Sequence, residues 1–216
     1  MHTPARTTEP RWPAIVAVIA VAGLSLALRP GLSIGPPWFF PGVLGALLLV
    51  TVLAHAVGRH DLDRALGFVV SGAVTIELIA SVIRLVGALP SRRESPQGLL
   101  VSAAAIWMSN ILVFALWYWR LDAGGPHGRE SRDGHTNGAF LFPQMTMLPE
   151  VRKAAGQLRW SPNFLDYLFI AFNTSTAFSP TDTPALAQWG KILMMVQSII
   201  SLLIIALLAA RAINVL

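Results

Sequence analysis

The sequence predicts an all-α, polytopic membrane helix bundle: five full spans plus one short helix, spanning or re-entrant, before the last span. Three observations carry this expectation. Of the 216 residues, 54% are hydrophobic and only 12% are charged, about half the charged fraction of a soluble domain. The apolar residues form continuous runs rather than alternating, which excludes a closed barrel and leaves helices to satisfy the backbone in lipid. Proline, glycine and charged residues collect between the runs and mark where helices stop.

Residues 1–11 are polar and read as a disordered tail. Arg6 and Arg11 precede the apolar run 13–28, in the manner of a signal peptide. That run ends in Leu28-Arg29-Pro30 without a small-x-small cleavage site, so it reads as a retained first helix over 12–28. Residues 29–38 hold too much Pro and Gly to continue it, and Trp38 suits the membrane interface. The second helix is expected over 41–57, with Pro41 in its first turn, and a short loop of mixed charge follows over 58–64. The third runs over 65–89 and stops at Pro90. The fourth runs over 98–120 and ends in Trp117, Tyr118, Trp119 and Arg120, an aromatic belt with a basic anchor. These four make a transmembrane region over 12–120.

A polar extramembrane connection is expected over 121–163. It turns apolar at Ala139-Phe140-Leu141-Phe142-Pro143 and offers a short surface helix over 149–158. The hairpin 164–216 closes the chain. Its short helix, 164–177, rises only about 21 Å, against a hydrocarbon core of about 30 Å. A Ser/Thr/Pro/Asp turn leads to the long helix 192–213.

Composition also narrows function. There is no cysteine, hence no disulfide, thiolate metal site or cysteine nucleophile. The net charge of +5 comes from basic residues beside apolar spans. These read as topology signals and lipid-headgroup contacts rather than a nucleic-acid surface. Nucleophile triads, phosphate-binding glycine loops and H-E-x-x-H motifs are all missing, so neither an enzyme nor a cofactor is expected. His127, Glu130, Asp133 and His135 carry ligand-type side chains, but their Gly-rich setting reads as a solvated loop without a metal.

Polar residues inside the spans need partners. Glu77 and Arg84 lie seven residues apart on one face of the third helix, with Ser81 between them. A Glu77–Ser81–Arg84 strip facing the bundle reads either as an ion or proton path or as a packing device. Asn110 of the fourth helix suits a bond to a neighbouring helix, and His55 suits a helix end. Orientation is open: basic loops favour a cytoplasmic N-terminus, whereas a pore loop entering from outside needs the reverse.

The turn after the short helix has two readings. Hydroxyls at Thr174, Ser175 and Thr176 can bond the last carbonyls of the helix. Pro180 stops the helix, and Asp182 or Thr183 can cap the next one, with Pro184 at its first position. Alternatively, Thr174, Thr176, Phe178, Ser179, Thr181 and Asp182 form a pore constriction, with Ser198 and Ser201 on an inner lumen.

Thr174, Thr176, Asp182, Pro184 and the helix from Trp189 onward resemble the pore module of two-transmembrane and potassium-type channels. There too a short helix ending in threonines leads to a filter and a long inner helix. The resemblance covers about 50 residues and departs at the filter, where Phe178-Ser179-Pro180-Thr181 replaces the expected glycines. It therefore implies a degenerate pore-loop ion channel not selective for potassium, working on a small ion as a homo-oligomer. LVFALWYWRLDAGGP, AFLFPQM, YLFIAFNTSTAFSPTDTPAL and VQSIISLLIIALLAARAINVL are similar to an uncharacterised family of bacterial integral membrane proteins. That resemblance implies a multi-pass protein of the bacterial inner membrane and carries no catalytic residues. The alternative is a non-conducting structural or partner-binding protein in the lipid bilayer, with Glu77, Arg84 and Asn110 packing helices.

Overall fold

The computed structural model describes residues 9–88, 96–131, 135, 138–157, 160–177 and 182–213. Among the described residues the long helices are α1 (Trp12–Leu26), α2 (Phe39–Ala56), α3 (His60–Ala88) and α4 (Pro96–Leu121). A 3-10 turn, Asp122–Gly124, leads to the short helices α5 (Gly125–Glu130), α6 (Pro143–Thr146) and α7 (Pro149–Ala154). The chain closes with α8 (Phe164–Thr176) and α9 (Gln188–Ile213).

The chain is a multi-span helical membrane protein, but the expectation of five full spans is corrected. Among the described residues four helices are long and apolar enough to cross a bilayer: Phe39–Ala56, Asp61–Ala88, Gln97–Glu130 and Gln188–Ala210. The first apolar run is a shorter helix of 15 residues. It rises about 22 Å, less than the hydrocarbon core of about 30 Å. The cause is local. Arg29 precedes Pro30 and is pushed out of the α region. The last turn tightens before it, with the Ala27 N–H bonding the Leu24 carbonyl and the Leu28 N–H bonding Ser25.

α2, α3, α4 and α9 begin earlier than their apolar runs imply. α3 starts at His60 and absorbs most of the expected loop, because Asp61 and Asp63 in its first turn complement the helix dipole. Gly58, at a φ of 74°, makes the left-handed step that separates it from α2. α4 starts at Pro96, a residue pre-shaped for a first turn.

α4 is the centre of the bundle, packing against α1, α3, α8 and α9. Ile106, Ile111, Val113, Ala115, Leu116 and Tyr118 of α4 are buried. α2 and α9 lie outside and expose apolar faces, with Leu49 and Leu53 on one and Ile192, Ile199 and Leu202 on the other. These are faces for lipid.

α8 and α9 enter the bundle from the same end, the end where α4 finishes. Phe164, opening α8, packs edge-on against Trp119 at a ring separation of 5.9 Å. Trp189, near the start of α9, packs against Phe140 at 5.9 Å. Phe140 in turn meets Tyr118 at 5.2 Å and Tyr167 at 6.3 Å. The chain therefore returns to that end between the two helices. Residues 184–186 lie beside 139–141 there, through Leu141 N–H to Pro184 O at 3.0 Å and Leu186 N–H to Ala139 O at 2.7 Å. α8 itself is started by a capping box. Asn163 Oδ1 accepts from the Leu165 N–H at 2.9 Å, and Asp166 accepts from the Asn163 N–H at 2.8 Å.

Candidate functional site

The same end of the bundle gathers the start of α1, the end of α2, the start of α3 and the end of α4. Each contributes a charged or titratable side chain, because spans end where charge becomes tolerable. Asp63 Oδ2 is the hub. The Arg11 guanidinium is ion-paired to it, with His55 Nδ1 at 3.2 Å and His127 Nε2 at 3.3 Å. Arg11 also donates through Nη2 to His127 Nδ1 at 3.0 Å. A neutral imidazole carrying its proton on Nε2 satisfies both His127 contacts.

A second set of bonds ties the chain start to the connection after α4. Arg129 meets the Glu9 carboxylate through Nε at 2.9 Å and Nη2 at 3.0 Å, a bidentate pair. Its Nη1 donates to the carbonyls of Trp119 and Asp122, each at 2.9 Å. The guanidinium lies 5.1 Å from the Tyr167 ring centre. Glu130 accepts from the Glu9 N–H at 2.9 Å.

Asp122 anchors the rest of the connection and is fully buried. Its carboxylate accepts from Tyr167 Oη at 2.6 Å and from the Ala139 N–H, and His135 Nε2 lies 3.2 Å away. His127, Glu130 and His135, read from sequence as part of a solvated loop, are thus held by partners, and the His135 side chain is only 1% exposed. Nearby, at the start of α8, burial pushes the Asp166 carboxyl above its ordinary range, against the lowering effect of the Asn163 N–H. Among the described residues no group of three acidic or histidine side chains is arranged to hold a metal ion.

Beneath the Asp63 hub lies a cavity of about 150 Å³ between α1, α2, α3 and α4. Ile15 and Val18, Leu48 and Val52, Phe68 and Leu116 supply apolar walls. The polar residues at its roof are Arg11, His55, Asp63, Arg64, Arg120 and His127, so three guanidiniums face one carboxylate. Arg120 donates through Nε to Ser71 Oγ at 3.1 Å and lies over the Phe68 and Trp119 rings at 5.7 and 5.5 Å. Gly67 makes room for it: a Cβ at that position would sit 1.7 Å from Arg120 Nη1.

The residues singled out by sequence fall in three other places. Glu77 is buried and accepts from the Ile34 N–H at 3.2 and 3.3 Å, with Ser81 buried one turn on. Arg84 lies nearer the opposite end of the bundle, beside Arg29. Asn110 bonds α9 rather than that strip, donating to Gln197 O at 3.2 Å and Ser201 Oγ at 2.9 Å. Ser198 donates to the Thr174 carbonyl at 3.2 Å. Thr174 and Thr176 each donate back to the carbonyl four residues earlier, at 2.8 and 2.9 Å. Asp182 is exposed. Phe178, Ser179 and Thr181 lie outside the described residues, as does Asp133.

Sequence reasoning missed Gln197, Asp122, Arg129 and Tyr167. The signal for Gln197 was present: one amide in the middle of a long apolar run. Asp122 and Arg129 gave none, since they stand in a polar stretch like any other. The chain matches no family model, no curated protein and no solved structure, so neither resemblance read from its sequence finds support there.

Proposed function

We propose that this chain is a non-conducting membrane protein that holds an anionic amphiphile at the Asp63 end of the bundle. One observation carries the reading: a half-open apolar cavity of about 150 Å³, walled by four helices, lies under a roof with three arginines and one aspartate. A cavity of about that volume has room for a benzene-sized apolar group. The guanidinium fork of Arg120 is the natural partner for a carboxylate or phosphate head. It is held in place by Ser71, Phe68 and Trp119, and Arg64 stands exposed at the rim.

The test is displacement of a fluorescent long-chain fatty acid from the purified protein in detergent. Wild type should bind one equivalent. Leu48→Trp, which fills the cavity, should weaken binding by about tenfold or more, since several methylenes lose their burial at about 0.8 kcal/mol each. Equal binding by that variant, or equal binding of the uncharged fatty alcohol, overturns the reading.

A second reading, conduction of a small ion by a homo-oligomer, draws support from one relation. α8 and α9 enter from the same end, and Thr176, the last residue of α8, and Asp182, before α9, are exposed. Conduction needs a polar path. The hydroxyls of Ser198 and Ser201 turn to α8 and α4 instead, and the outward face of α9 is apolar. The amphiphile reading is therefore the better supported.

A further inference from the structure

The connection after α4 carries a short helix that the bundle leaves bare. Phe142 and Trp160 meet at a ring separation of 5.3 Å, and Phe142 also packs against Tyr167 of α8 at 5.6 Å. α6 and α7 lie in the chain between Phe142 and Trp160. The two rings therefore pinch that stretch at the level where α4 ends and α8 begins, since Phe164 stands there against Trp119. Met145 still packs on the core, but no residue of α7 is buried. Pro149 opens α7 and Gly156, at a φ of 69°, follows its last turn, so the helix is set by its ends rather than by packing. The Arg152 N–H bonds the Leu148 carbonyl at 2.9 Å, and the Ala155 N–H bonds Val151 at 3.0 Å. Leu148, Val151 and Ala155 thus follow helical spacing and share one face. Leu148 is 69% and Val151 49% exposed, and Ala155 is exposed with them. Lys153, across the helix from this ridge, is exposed and Arg152 is half-buried. Neither is ion-paired among the described residues, and Glu150 is the one acid of the helix.

We infer that α7 is an interfacial anchor that lays the Leu148–Val151 ridge into the headgroup layer of an anionic bilayer. An apolar ridge backed by basic side chains is the pattern of a helix lying in that layer. Arg152 and Lys153 reach the lipid phosphates on their apolar stems. The ridge continues, at the level of the span ends, the apolar surface that α2 and α9 turn to lipid. Two large side chains are far too little for a stable contact with a second copy, which needs about 800 Å² from each partner. A bilayer has no such requirement, because the spans already hold α7 beside it and its docking is intramolecular. The anchor goes beyond the amphiphile cavity, which α7 does not line.

The chain has no cysteine, so one introduced thiol can carry a label. The full chain with Ala155→Cys, or with Glu150→Cys on the other side of α7, is labelled with an environment-sensitive fluorophore. It is reconstituted in phosphatidylcholine vesicles with and without phosphatidylglycerol. Nitroxide-bearing lipid quenches a label in the headgroup layer, and acrylamide quenches one in water. The label at 155 should be quenched by the lipid and shielded from acrylamide, and the label at 150 should show the reverse. Phosphatidylglycerol should raise the inserted fraction at 155. Arg152→Gln with Lys153→Gln should lower the ratio of inserted to free label by about fivefold per charge in those vesicles. Leu148→Ser with Val151→Ser should lower it in both kinds of vesicle. A label at 155 that is open to acrylamide overturns the proposal. So does one shielded from acrylamide and lipid alike, which would mean a protein cover. Equal insertion with and without phosphatidylglycerol, or no loss on removing the two charges, overturns the choice of an anionic surface.

Discussion

Tyr118 of α4 donates its phenolic hydrogen to Oε1 of Gln197 on α9, at 2.6 Å, with both side chains fully buried. The same amide donates through Nε2 to the Ala171 carbonyl at 2.7 Å and to Ser175 Oγ at 2.8 Å, both on α8. One side chain thus joins three helices. In an apolar surround, where helices gain little from hydrophobic burial against each other, such bonds fix which faces meet.

Replacing Gln197 with Leu should lower stability by about 1–2 kcal/mol, the upper range for interhelical hydrogen bonds in membranes. The readout is the thermal unfolding midpoint in detergent. Ser198→Ala removes one longer bond at the edge of the same contact and should cost about 0.6 kcal/mol. Equal losses from the two changes would contradict the central place of Gln197.

Asp122→Ala should release the connection after α4. It strips the acceptor from the Ala139 N–H and Tyr167 Oη, leaving buried donors unmatched at about 1–3 kcal/mol. Amide hydrogen exchange should rise at Ala139, Phe140 and Leu141. Tyr167→Phe, which removes one donor and leaves no orphan on itself, should have the smaller effect. Unchanged exchange in Asp122→Ala would show that the connection docks without its carboxylate.

Gly67→Ala tests the amphiphile cavity from another side. The new Cβ would collide with the tip of Arg120, a flexible group that can move away. A helix gains roughly 0.5–1 kcal/mol from Gly to Ala, so stability should change little. Fatty-acid binding should still weaken about tenfold, as expected for losing a hydrogen bond to a charged group. A variant that binds as wild type does would remove Arg120 from the site.

Conduction has its own outcome. Proteoliposomes carrying the wild-type chain should show cation flux no greater than empty vesicles, and Asp182→Asn should match them. Flux in the wild type that Asp182→Asn alters would favour the pore reading over the amphiphile one.

The sequence by itself determined the helices and their membrane setting. A continuous apolar run, a proline stop and an aromatic belt are local properties, and lipid permits few ways to satisfy the backbone of such a run. It overestimated the spans by one, because hydropathy extends as far as Leu28 while the backbone before Pro30 does not. Tertiary structure alone decided the partners. Asn110 inside α4 announced a need for a hydrogen bond, but several helices could meet that need, and the one that does lies 91 residues away at Ser201. His135 looked like a loop histidine until Asp122 and the Phe142 and Trp160 rings enclosed it. The apolar cavity with its arginine roof arises from four helix ends that no local pattern brings together. Burial and pairing depend on which faces meet, and that choice is made by the whole bundle at once.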